Sequence, residues 1–312
     1  MIGSRALLFG AILVALGAAW GFTQPMTKIS VSTGHGHFGL IFWQTLIGAA
    51  LMAAICTLRG TRLPLHPRHL WLYTIIALVG TVIPNSASYQ AAVHLPAGIM
   101  SLILSTIPML AFPLALALGN DRYEARRLLG LTVGLAAVLL IILPGQEMSG
   151  GIPPFWVLVL LFTCLCYAFE GNYVQRWGTQ NLDALQVLYG ASLVGAVMTF
   201  PMALASGQWI DPTRPWGAPE LALIAGSVAH VVAYAGYVWL VGQAGVTFTA
   251  QISYVVTLTG LFWAKLILDE RYPAQVWLAL GLLFVGMYLV QPRRSQPLDA
   301  SPPIGQDSRN RP

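Results

Sequence analysis

Ten apolar stretches, each close to twenty residues long, follow one another with only short polar gaps between them. They cover residues 6–25, 38–58, 70–93, 97–118, 127–144, 155–176, 184–205, 220–242, 247–268 and 274–291. A hydrocarbon core about 30 Å thick is crossed by roughly 20 apolar residues in a helix. Lipid offers no partner to a backbone N–H or C=O, so a spanning segment must bond to itself, as a helix does. Only 9% of the residues are charged and 56% are hydrophobic, too little polar surface to clothe a soluble fold of this length. The expected class is an all-α integral membrane protein with ten transmembrane helices. Few residues remain for the aqueous phases, so function is expected between the helices.

The gaps carry chain breakers: Gly60 and Pro64, Pro153 and Pro154, then Pro212, Pro215 and Pro219. The third and fourth stretches are interrupted only at His94-Leu95-Pro96 and read as one tight helical hairpin. The first stretch reads as a span rather than a cleaved leader, because its apolar run continues past Ala19 to Phe22. Residues 293–312, rich in Pro, Ser, Asp and Arg, are expected to form a disordered cytoplasmic tail.

Charge sets the orientation. With a cytoplasmic N-terminus, the inner side holds Arg5, Arg59, Arg62, Arg68, Arg122, Arg126, Arg127, Arg176, Arg293, Arg294, Arg309 and Arg311. The outer side holds Lys28, Arg214, Lys265 and Arg271. Such an excess marks the cytoplasmic face, and an even number of spans returns the C-terminus to it. The net charge of +5 is then a topology signal. No nucleic-acid partner is expected, since the arginines lie in scattered short loops with no aromatic platform; membrane lipids are the expected surroundings.

The chain reads as a duplication. Trp20-Gly21 and Tyr167-Ala168 stand 147 residues apart, the hairpins at Ala97 and Gly245 148 apart, and Tyr123 and Tyr272 149 apart. Each tyrosine follows an acidic residue and an arginine, Asp121-Arg122 or Glu270-Arg271, and precedes an apolar run. The expected units are 1–146 and 147–292, five spans each. An odd number of spans inverts the second unit in the membrane, so a 5+5 inverted repeat around a central cavity follows, the arrangement of many secondary transporters.

These features resemble the EamA family of the drug/metabolite transporter superfamily, over about residues 5 to 292. The likeness rests on Trp20-Gly21, the small-residue hairpins, Ser105-Thr106-Ile107-Pro108, and the acidic residue before the fifth and tenth spans. It implies a bacterial inner-membrane carrier of amino acids or other small organic metabolites. It also implies a cavity lined mainly by spans 1, 3, 4, 6, 8 and 9. Two departures stand in the second half: Tyr167-Ala168 replaces Trp-Gly, and Tyr254-Val255-Val256-Thr257 lacks the family's usual proline.

Glu170 is the outstanding polar residue, an ionisable side chain inside the sixth stretch whose repeat counterpart is Thr23. A carboxylate at membrane depth costs at least about 2.5 kcal/mol and must face a partner or a wet interior. Two readings compete: a cation-binding or proton-carrying group, or a structural carboxylate near the interface, paired with Arg176 or hydrogen-bonded to the next helix. His230, in the eighth stretch, is a second proton-coupling candidate, against the reading of a neutral imidazole held by one interhelical bond. Candidate solute contacts are Trp20, Asn85, Tyr89, Gln90, Ser105, Tyr234, Tyr237, Gln251 and Tyr254, with Glu170 and His230. Pro84 must disturb the third helix and free backbone carbonyls. Gln44 is a further polar group expected to be buried, in the second stretch.

No cofactor or metal is expected. Cys56, Cys164 and Cys166 lie in apolar runs as filling, and no GxxxxGK[ST] run cradles a nucleotide. Gly17 with Gly21, and Gly130 with Gly134, would let another helix approach closely, which leaves a homodimer open. The leading expectation is a secondary carrier working by alternating access, proton-coupled or not. A membrane-embedded enzyme on a lipid-linked substrate and a non-transporting scaffold or sensor are the alternatives. The enzyme would need clustered His and carboxylates, whereas His35 and His37, like His66 and His69, have none beside them in sequence.

Overall fold

The computed structural model describes residues 2–143 and 151–291. The tail expected over 293–312 lies outside the described residues. Among these the chain is helical throughout, with no strand. Its helices are α1 (Ile2–Ser30), α2 (His37–Leu58), α3 (Pro67–His94), α4 (Ala97–Ala117), α5 (Ala125–Ile142), α6 (Pro154–Trp177), α7 (Ala184–Ala205), α8 (Ala218–Ala244), α9 (Ile252–Leu268) and α10 (Ala274–Val290). Eight of them are long and apolar enough to cross a membrane; α9 and α10 are shorter apolar helices. The chain is a multi-pass membrane protein. Large apolar side chains such as Leu139, Phe162, Val197 and Phe262 point outward, the surface lipid covers.

Three helices depart from the ends or continuity read from sequence. α1 does not stop near Pro25 but runs through it to Ser30. A proline is tolerated there because neighbouring groups re-satisfy a membrane helix; Thr23, Thr27 and Ser30 each bond a carbonyl of the preceding turn. α3 is a single span with a π-helical segment, Leu78–Val82, just before Pro84. The proline ring collides with the carbonyl four residues back, at Gly80, and widening the turn relieves the clash. α4 is interrupted at Ser105-Thr106, ahead of Pro108. In the second half one helical turn, Val246–Thr249, precedes α9. The break there falls at Ala250-Gln251, and α9 runs unbroken past the place of the missing proline.

The most extensive helix contacts join the halves. α1 packs on α8 and α9, while α6 packs on α3 and α4. α3 meets α7 as α8 meets α2, and α2–α7, α4–α9 and α5–α10 meet across the middle. Exchanging α1–α5 with α6–α10 returns the same set, which is pseudo-twofold packing. Glycines allow the closest crossings. A Cβ on Gly21 would lie 2.8 Å from the Gly260 nitrogen and 2.9 Å from the Val256 carbonyl, and one on Gly130 2.8 Å from the Gly286 carbonyl. Both glycine pairs noted in the sequence are thus occupied by helices of the same chain.

Candidate functional site

A cavity of about 510 Å³ lies between the halves, lined by parts of α1–α4 and α6–α9. Its size suits a small organic molecule. α1 and α6, repeat counterparts, each turn polar and aromatic groups into it: Trp20 and Thr23 from one, Tyr167 and Glu170 from the other.

On one wall the Trp20 indole nitrogen donates to Nδ1 of His230 at 3.1 Å. Trp20 also meets Tyr234 and Tyr237 edge-on, with centroids 6.4 and 5.8 Å away. Indole N–H only donates, so Nδ1 keeps its lone pair and the imidazole proton sits on Nε2. The bond occupies the nitrogen that a second proton would take.

Elsewhere on the cavity wall Tyr167 donates its hydroxyl to Asn85 Oδ1 at 2.8 Å. Asn85 donates its amide to Gln44 Oε1 at 3.2 Å, and Tyr89 reaches the same oxygen at 2.9 Å. All four line the cavity. Each half thus sends an aromatic side chain, Trp20 or Tyr167, whose polar hydrogen crosses to the other half.

Glu170 faces the cavity and makes no hydrogen bond or ion pair with any described residue. Arg176, the partner weighed for it, is exposed and makes no ion pair with any described residue. The carboxylate rests on the π segment: a Cβ on Gly80 would lie 2.5 Å from the carboxyl carbon. Only glycine leaves room for it there. No signal in the sequence paired Gly80 with Glu170; Gly80 lies in the π turn that precedes Pro84.

Of the other candidates, Ser105 lines the cavity at the break in α4, its hydroxyl bonded to the Leu102 carbonyl at 2.6 Å. Tyr237 and Tyr254 line a second cavity of about 400 Å³, which shares Trp20, Pro108, Ile252 and Ser253 with the first. Gln90 and Gln251 line neither. Gln90 is exposed, its amide turned back to the Ser86 carbonyl at 2.9 Å, and Gln251 is exposed at the start of α9. Gln24, Thr27 and Ser30 of α1, with Ser227 of α8, also line the main cavity; they escaped the sequence reading as ordinary polar positions. His35 does have a carboxylate neighbour after all: Glu220, distant in sequence, comes to 2.7 Å.

The two ends of the helix bundle differ. At the α3–α4 turn Lys28 donates to the Ala92 and Val93 carbonyls at 2.6 and 3.1 Å. Glu270 accepts from the Ala97 and Gly98 amides at 2.7 and 3.1 Å and from the Tyr272 hydroxyl at 2.6 Å. A cation thus sits on a helix C-terminus and an anion on a helix N-terminus, both favourable to the helix dipole. Leu95, Ala97, Ile99 and Ser30 are buried there. At the equivalent turn at Gly245, Asp121 takes the repeat place of Glu270 but bonds Arg127 and the Arg122 amide instead. The second cavity is lined by Arg127 and Gln291 as well.

Against known proteins, the EamA-like transporter family matches twice, over residues 8–143 and 154–291. The chain belongs to the EamA-like transporter family. This EamA-like protein therefore carries the family's two-repeat architecture, and members of its superfamily are generally transporters. No curated protein matches the chain. Among solved structures, one described only as "Crystal structure of protein" superposes with a TM-score of 0.61 at 18% identity, over 92% of this chain and 96% of its own. That likeness shows the fold.

Proposed function

We propose that this EamA-like protein is a secondary carrier that moves small organic metabolites, amino acids or related compounds, across the bacterial inner membrane by alternating access. The two repeats, five helices each and inverted in the membrane with both termini cytoplasmic, rock about the cavity. The observation that carries this reading is the cavity of about 510 Å³ between pseudo-symmetric halves, with the unpartnered carboxylate of Glu170 in its wall. Trp20, Asn85, Tyr89, Ser105, Glu170, His230 and Tyr234 contact the solute. Glu170 is the better proton-coupling group, because a proton on His230 Nδ1 would cost the Trp20 bond. Uptake by purified protein in liposomes tests the reading. Saturable flux of a labelled metabolite supports it, and a catalytic product formed in detergent without a sealed compartment points instead to an enzyme. Collapse of an imposed pH gradient separates coupled from facilitated flux.

A further inference from the structure

Resting on the carrier reading and narrowing its solute from amino acids to their amine relatives, we infer that the cavity selects organic monocations, amines without a carboxylate, over zwitterions and anions. The argument is the charge inventory of the wall. Among the described residues its lining holds one carboxylate, Glu170, and no lysine or arginine; Arg127 lines only the second cavity, where it is bonded to Asp121. Its histidine is neutral while Nδ1 accepts from Trp20. A solute carboxylate or phosphate would enter a weakly screened space beside a like charge with no cation to meet it. An ammonium would meet Glu170, which spends its lone pairs on no described residue. The Trp20 and Tyr234 rings, which line the cavity, supply aromatic surface for a cation.

The test is binding to the purified full chain in detergent, by calorimetry, with two charge series on fixed bodies: phenethylammonium, phenylalanine and hydrocinnamate, then butylammonium, norvaline and pentanoate. At least one amine should bind about tenfold or more tightly than its zwitterion, a difference of about 1.4 kcal/mol, and the anions should not compete. Glu170→Gln should weaken the amine about tenfold, and Glu170→Asp, which keeps the charge, should retain part of the affinity if the glutamine variant fails to fold. Binding of zwitterion or anion as tightly as amine, or failure of both amines to bind, overturns the inference. An amine that binds but is not carried into vesicles removes the carrier reading and leaves the selectivity standing. A zwitterion that is carried while no amine binds does the reverse.

The difference between the two ends carries a second inference. The geometry points to the Lys28–Glu270 clamp as a gate that is shut in this structure, with Asp121 the unmade half of its twin. In the opposite conformation Asp121 leaves Arg127 for the amides after Gly245, and Glu270 releases those of Ala97 and Gly98. Ser30, buried beneath the clamp and lining the cavity, reports the state. Ser30→Cys in sealed vesicles should react slowly with a membrane-impermeant maleimide from the outer side. Adding Glu270→Gln should speed the reaction about tenfold, and Tyr272→Phe, which removes one bond, should speed it less. Rates unchanged in both folded variants overturn the gate.

Discussion

Trp20 and His230 are bonded to each other across the two halves of the chain, indole nitrogen to Nδ1 at 3.1 Å. The bond ties α1 to α8, a pairing that the pseudo-twofold exchanges with that of α6 on α3, and fixes the imidazole tautomer at the cavity wall. Interhelical hydrogen bonds in membranes contribute about 0.6 kcal/mol on average and at most about 1.7. Trp20→Phe keeps an aromatic ring and removes the donor. We expect it to lower stability within that range, measured by denaturation in detergent micelles. A variant as stable as the parent would show that the bond contributes nothing.

Gly80→Ala tests the placement of Glu170. The added methyl meets the carboxyl group at 2.5 Å, and the flexible glutamate must swing aside. The fold should survive, since the neighbour that moves is a side-chain end. Solute flux should fall on the order of tenfold, because a displacement near 1 Å at a binding group can cost far more than that. Melting temperature and flux measured together check it: unchanged flux means that the position of Glu170 is not critical.

Gly21 is the tightest point of the α1–α9 crossing. Here a methyl would press on backbone, the Gly260 nitrogen and the Val256 carbonyl, which cannot rotate away. Gly21→Ala should cost about 1–3 kcal/mol, the usual range for overpacking. Gly10→Ala, with nothing within 4 Å of the new methyl, serves as control and should be neutral or slightly stabilising. Equal loss in both would place the cost in helix propensity or lipid contact rather than in the crossing.

The membrane class, the helix order and the duplication were legible because they rest on composition, run length and repeated short motifs, which survive without tertiary knowledge. Which way a side chain faces was less legible. Gln90 follows Tyr89 directly, yet one points outward and the other into the cavity, because packing of α3 on α2 and α6 sets the rotation of the helix. Pro84 announced a disturbed helix, but the form of the disturbance, and its encounter with Glu170 from α6, came from contact between distant segments. The break at Ala250-Gln251 has no proline to announce it, and the His35–Glu220 pair spans 185 residues.

The most direct test of the central claim is uptake of labelled amines and amino acids into liposomes holding the purified protein, for the parent and Glu170→Gln. The account predicts saturable uptake by the parent and its loss in the variant, with the variant's melting curve unchanged. Full uptake by a folded Glu170→Gln protein would contradict it.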